Sequence, residues 1–320
     1  MNTIQRRFSA LETTDFVNVS FFTLLALAMI GCARAIPLWW MYVLFDIAVI
    51  IAIFVLAIKA STRGHRWRLV HGFYMMLCIP IAFSQAYHLV PALNPNDIDQ
   101  VLIGIDRAVF GVNPTQWLFR FSHPVLTEIL QLCYATFYFL PLVLAVDLYR
   151  KKRMHAFRTV FLVTTFGFYL SYFGYAAFPA IGPRFTLHEF QNTETELPGV
   201  LLTNALRIYT NTGESIPPGT VHPERTVQRD AFPSGHTQMT LLVMFLAFRY
   251  RARTRWWLWI VGSLLLVATV YLRYHYVVDL AAGTVFAIAT YPLALALDRR
   301  FKKWKAQGTQ DEADEIAAGA

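Results

Sequence analysis

A chain of 320 residues that is 56% hydrophobic and 15% aromatic, with only 15% charged, is too apolar for an ordinary soluble domain. Its formal charge of +8 falls mostly in short clusters between apolar runs, which is the pattern of membrane topology and not of nucleic-acid binding. Cys32, Cys78 and Cys133 lie in or beside apolar runs without paired spacing, so they read as small packing residues and imply no disulfide framework.

A bilayer core takes about 20 helical residues to cross. In chain order the apolar runs predict eight spans, at 16–33, 37–58, 69–90, 126–148, 156–178, 235–251, 256–273 and 277–298. Arg6 and Arg7 precede the first, Glu12 and Asp15 interrupt, and no small-residue cleavage site stands out, so this helix is expected to be retained. Pro37 and the short CARAI link make the first two spans a hairpin, the alternative being one span plus a re-entrant piece. Most Lys and Arg fall in alternate loops: Arg6 and Arg7, then 59–68, 150–158, 249–255 and 299–305. Under the positive-inside rule these ends and both termini are cytoplasmic, while 179–235 and the link from Arg273 to His275 lie outside. A bacterial inner membrane is the expected location, ahead of a eukaryotic secretory one.

Between the third and fourth spans, "IDQVLIGIDRAVFG" spaces Ile98, Leu102, Ile105, Val109 and Phe110 near the helical repeat, with Asp99, Asp106 and Arg107 interleaved. That predicts a helix lying in the outer interface, with Trp117, Phe119 and Phe121 anchoring the turn after it. Residues 179–235 form a long polar insertion rich in turn formers. The acidic tail "QGTQDEADEIAAGA" reads as a solvated, disordered extension. The chain thus divides into a transmembrane hairpin with its cytoplasmic loop (1–68), a six-helix core (69–300) and a tail (301–320).

Three short stretches carry chemistry. In "RDAFPSGHTQM" (229–239), Ser234 is placed to cap the following helix and Gly235 lets a ligand approach the backbone. The helix start favours an anion, and His236 in its first turn is placed to give a proton to a departing group. The plainer reading is an N-cap beside an interfacial histidine. In "YLRYHYVVD" (271–279), His275 and Asp279 are four apart and share a helix face. A carboxylate on one ring nitrogen leaves the other as nucleophile or base, and the alternative is a structural pair at a helix mouth. In "FPAIGPRF" (178–185), Arg184 is a fixed fork suited to phosphate oxygens, or else a snorkelling arginine. The charge pattern puts all three stretches at one outer face, where ionisable groups are functional candidates.

"PSGH" followed about forty residues later by "HYVVD" resembles the second and third signature motifs of the type 2 phosphatidate phosphatase superfamily, which includes vanadium haloperoxidases. "GPR" resembles a remnant of the first motif. The likeness covers the six spans from about 69 to 298. It implies His275 as nucleophile, Asp279 as its partner, His236 as general acid, and Ser234, Gly235 and Arg184 as phosphate binders. Two features depart from the family pattern. Ala177 stands where the first motif has lysine, with Phe185 in place of a proline, and Ala268-Thr269 replaces the Ser-Arg of the third motif. Arg273 is the candidate to supply the missing positive charge. The motif without that arginine, with "TVY" upstream, is similar to the branch holding inositol phosphorylceramide synthases.

The expectation is therefore an all-α, polytopic membrane bundle acting as a lipid phosphoesterase through a phosphohistidine at the extracytoplasmic face. It would release phosphate from a lipid phosphate. The alternatives are transfer of a phospho-headgroup to a lipid or polyol hydroxyl, and non-enzymatic lipid binding or translocation. No metal and no cofactor is called for; the expected partners are a lipid phosphate and the bilayer, with no nucleic acid.

Overall fold

Inside a bilayer no water is present to satisfy backbone N–H and C=O groups, so a chain this apolar must satisfy them within helices. The computed structural model describes residues 10–318, with side-chain surroundings as far as residue 307, and its regular elements are all helical. Arg6 and Arg7 lie outside the described residues. In chain order the longer helices are α1 (Thr13–Gly31), α2 (Trp39–Thr62), α3 (His65–Phe73), α4 (Met75–Leu93), α5 (Asp99–Phe110) and α6 (Pro124–Ala135). They continue as α7 (Phe139–Arg150), α8 (Met154–Ala177), α9 (Thr203–Gly213), α10 (Gly235–Arg249), α11 (Arg255–Tyr271) and α12 (Val277–Ala318).

Helices stand at all eight expected positions, but not all are full-length spans. Among the described residues, five are long and apolar enough to cross a membrane: α1, α2, α3 with α4, α8 and α12. The expected span at 126–148 is instead the pair α6 and α7, bent by 58°. Pro141 explains the break, because it lacks the N–H that would bond the Phe137 carbonyl, and tight turn bonds at Thr136 and Phe137 take over. α10 and α11 have only 15 and 17 residues. α10 is short and mostly buried against α8, α11 and α12, and it works as a core post between longer helices. α12 runs on from its span as one helix to Ala318, through residues that are mostly good helix formers.

The core brings together α1, α4, α7, α8 and α10, with Phe22, Met29, Leu144, Val160 and Leu246 fully buried. Lipid tails are as apolar as these side chains, so close packing and interhelical hydrogen bonds hold such a bundle. Gln238 on α10 supplies several of the bonds. Its amide N–H groups donate to the Gly167 carbonyl on α8 (3.0 Å) and to Thr290 Oγ1 on α12 (2.9 Å), and its carbonyl accepts from Ser171. At the other end of the bundle, Asp15 of α1 accepts from the Tyr74 hydroxyl (2.7 Å) and meets His71 Nε2 at 2.9 Å.

α5 forms as expected, and it buries Leu102 and Ile103 together with both of its carboxylates. Val101, Val109 and Phe110 are exposed, whereas Asp99 and Asp106 are 4% and 2% exposed. The two carboxylates, seven residues apart on one face, point into the protein because backbone N–H groups wait there. α9, the longest helix of the insertion, is fastened at its start by Glu128 of α6, which accepts the N–H groups of Val200, Leu201, Leu202 and Thr203.

Candidate active site

Two helix starts meet where α10 and α12 begin. Ser234 caps α10 by accepting the Thr237 N–H at 3.1 Å, and its own N–H donates to the Asp279 carbonyl at 3.1 Å. The contact is tight: a Cβ on Gly283 of α12 would lie 2.5 Å from the Ser234 carbonyl oxygen. A Cβ on Gly235 would collide with the Tyr175 hydroxyl, so glycine at both positions is a steric requirement. α12 starts satisfied. Asp106 accepts the N–H groups of Val277 and Val278, both at 2.9 Å, and Asp279 accepts that of Tyr276 at 2.8 Å.

This packing brings His236 and His275 together, with His236 Nδ1 3.2 Å from His275 Nε2. On its other side His275 Nδ1 faces two acceptors, the Ala231 carbonyl at 2.8 Å and Asp279 Oδ2 at 3.4 Å. Two acceptors at Nδ1 assign the proton there, which leaves the Nε2 lone pair directed at His236. His275 is 3% exposed and Asp279 is fully buried, while His236 is half-buried between the rings of Tyr134 and Phe137. Burial above all, with the field of Arg184, holds the His275 imidazole down at about 4, against the upward pull of Asp230 and the Ala231 carbonyl. The ring is therefore an unprotonated base at neutral pH.

Arg184 arrives on the "GPR" turn. Asp99 holds that turn by accepting the N–H groups of Ile181 (3.0 Å) and Gly182 (2.9 Å), and Gly182 adopts φ +90° with its would-be Cβ 2.8 Å from the Tyr274 carbonyl. Asp99 also accepts from the Tyr276 hydroxyl at 2.8 Å, so one carboxylate ties the arginine's turn to the histidine's strand of chain. The Arg184 guanidinium is buried over Tyr274 at 4.6 Å, donates to Asn211 Oδ1 at 3.0 Å and is ion-paired with Glu214. Burial lowers its affinity for its proton, and its field still acts on His275.

Of the seven residues expected from sequence, six converge here: His275, His236, Asp279, Ser234, Gly235 and Arg184. Arg273 is placed differently. Its backbone carbonyl accepts the Arg184 N–H at 3.1 Å, but its side chain, 1% exposed, pairs with Glu196 and lies over the Phe119 ring at 5.3 Å. The structure adds residues that the motifs did not flag. Asp230, half-buried, lines a cavity of about 750 Å³ together with His236, Glu214 and Gln228, under an aromatic wall of Tyr134, Phe137 and Tyr138. Its carboxyl is raised by burial, against the lowering influence of His275 and Arg184. Asp99 and Asp106 carry a faint signal, since a seven-residue spacing on a helix puts both on one face. Glu214, Glu196 and Asp230 carry none. No group of three or more metal-ligating side chains occurs among the described residues.

A family model described as the PAP2 superfamily matches residues 100–293, which spans nearly all of α5 through most of the membrane part of α12 and includes all six converging residues. No curated protein and no solved structure matches the chain. With more than half of its length under that match, and the matched part containing the paired histidines, the chain belongs to the PAP2 superfamily, whose members are generally phosphoesterases or phosphotransferases.

Proposed function

We propose that this protein cleaves a lipid phosphoester through a phosphohistidine on His275. The observation that carries the reading is the contact of His236 and His275 at 3.2 Å with a buried carboxylate behind the second ring. In the proposed reaction His275 Nε2 attacks phosphorus and the P–O bond to the leaving oxygen breaks. Nδ1–H stays on the Ala231 and Asp279 side and stabilises the positive charge that builds on the ring. His236 protonates the departing alkoxide, then takes a proton from the water that releases phosphate and frees His275. Arg184, Ser234 and the Gly235 backbone stand where charge develops on the non-bridging oxygens. The basic clusters at the opposite end of the bundle support an extracytoplasmic site with cytoplasmic termini.

A second reading, transfer of the phospho-headgroup to a hydroxyl, is favoured by the cavity beside His236. It offers Ser215, Gln228, Glu214 and Asp230 on one wall and aromatic rings on the other, which suits a hydroxyl-bearing acceptor. The deciding experiment gives purified wild-type protein and His275→Ala a panel of lipid phosphates and phosphodiesters, with and without polyol or lipid acceptors. Acid-labile, base-stable phosphate on wild type alone, with free phosphate released, is expected. A new phosphorylated lipid that forms only with added acceptor selects transfer. Equal turnover by the alanine variant overturns both readings.

A further inference from the structure

α9 is an inverted amphipathic helix. Ile208 and Tyr209 are 49% and 57% exposed, while the buried positions are Thr203 and Arg207, with Asn211 one turn further along the same face. A surface helix ordinarily buries its apolar stripe, so a polar stripe turned inward marks something polar to be held. Thr203 is taken by Glu128 and Asn211 by Arg184. Arg207 differs. It is 5% exposed, one guanidinium nitrogen donates to the Leu197 carbonyl, and the other terminal nitrogen, Nη1, has no hydrogen-bond partner. It makes no ion pair among the described residues. By contrast, Arg184 has Glu214 and Arg273 has Glu196.

Arg207 and Arg184 both line a cavity of about 180 Å³ whose other polar walls are Gln191, Thr193, Asn211, Thr220 and the exposed Glu194. That is far more than the roughly 15 Å³ one water needs. The cavity does not include His236, His275 or Ser234, and it is separate from the cavity that contains His236. Glu194 acts on Arg207 through its field without an ion pair, so Nη1 stays a buried donor with no acceptor, which is costly, and a guanidinium fork is matched to the oxygens of a tetrahedral oxyanion.

From these observations we infer a second oxyanion subsite between Arg207 and Arg184, outside the catalytic arginine, that takes a phosphate-sized anion. It rests on the reading that Arg184 faces the reacting phosphate, and it makes that arginine the shared wall of two anion sites. Two sources have this chemistry: the free phosphate leaving the site, and a further phosphate on a lipid headgroup.

The test titrates full-length protein in nanodiscs with orthophosphate and, separately, with glycerol phosphate, using wild type, Arg207→Gln and Thr220→Phe. The phenylalanine fills the cavity and leaves every charge in place. Wild type is expected to bind two phosphates per chain, and each variant is expected to weaken one of them by about ten-fold or more while leaving the other. Tighter orthophosphate assigns the subsite to the free ion, and tighter glycerol phosphate assigns it to a headgroup. Wild-type isotherms in both variants overturn the subsite. If Arg207→Gln yields no folded protein, Thr220→Phe decides alone. Phosphate binding is read without turnover, so an inactive wild type counts against the proposed reaction and leaves this inference standing or falling on its own isotherms.

Discussion

At the scale of single residues the site separates three tasks that substitution can tell apart. His275→Ala removes the atom that would bond phosphorus, so turnover and the trapped phosphoprotein should vanish together. His236→Ala keeps the nucleophile and removes the proton donor at 3.2 Å; turnover should fall by roughly 10²- to 10⁴-fold, with least loss on substrates whose leaving group needs no proton. Asp279→Asn leaves an acceptor near Nδ1 but removes the charge that offsets the imidazolium, so kcat should fall with KM nearly unchanged. The measurement is kcat and KM for the three variants on lipid and activated phosphoesters. Equal losses with every leaving group would deny His236 its part as acid. These residues were legible in the sequence because each motif is contiguous: Ser234 and His236 sit two apart, and His275 and Asp279 one helical turn apart. Arg273 was assigned to the site on the same footing of proximity. Its position at φ +69° turns the side chain towards Glu196, a carboxylate 77 residues away that no local pattern could pair with it.

At the scale of elements, the site depends on carboxylates that act on backbone and not on substrate. Asp106 reaches from α5 to the first two N–H groups of α12, 171 and 172 residues away, and Asp99 reaches from the same helix to the "GPR" turn. The apolar period of α5 was readable and fixed its helical form. Its orientation was not readable, because a carboxylate on an interfacial helix ordinarily faces water, and only the fold brings unpaired N–H groups beneath it. Asp106→Ala therefore has a defined consequence. It orphans two backbone donors at a buried helix start, each loss being worth about 1–3 kcal/mol. The thermal midpoint should drop, and kcat should fall more than KM rises, because α12 carries Asp279 in its first turn. Asp106→Asn, which keeps one acceptor, should recover part of both. A variant with wild-type midpoint and kcat would show that α12 needs no such clamp. The bend between α6 and α7 belongs to the same scale: Pro141 was visible, yet only the structure shows that breaking this span sets Tyr134 and Phe137 against His236.

At the scale of the whole molecule, burial of the site links activity to acid stability. His275 and His188 both titrate near 4 in the folded protein, against 6.5 when exposed, chiefly because burial disfavours their charged forms. The unfolded chain therefore takes up protons as pH falls through 6.5 while the folded chain does not, so the contribution of these groups to stability is full above about 6.5 and is lost as pH drops towards 4. For His275 alone the loss amounts to roughly 3 kcal/mol over that window. Ordinary surface carboxylates titrate mostly below pH 5, so between pH 6.5 and 5 the histidines are the groups to watch. Thermal midpoints of the detergent-solubilised protein should fall across that interval, and His275→Gln, which has nothing to protonate, should fall by less. A parallel decline in both proteins would mean that His275 is open to water in the folded state. The packing of α10 against α12 would then not keep the ring unprotonated, and His275 would not be a preformed nucleophile.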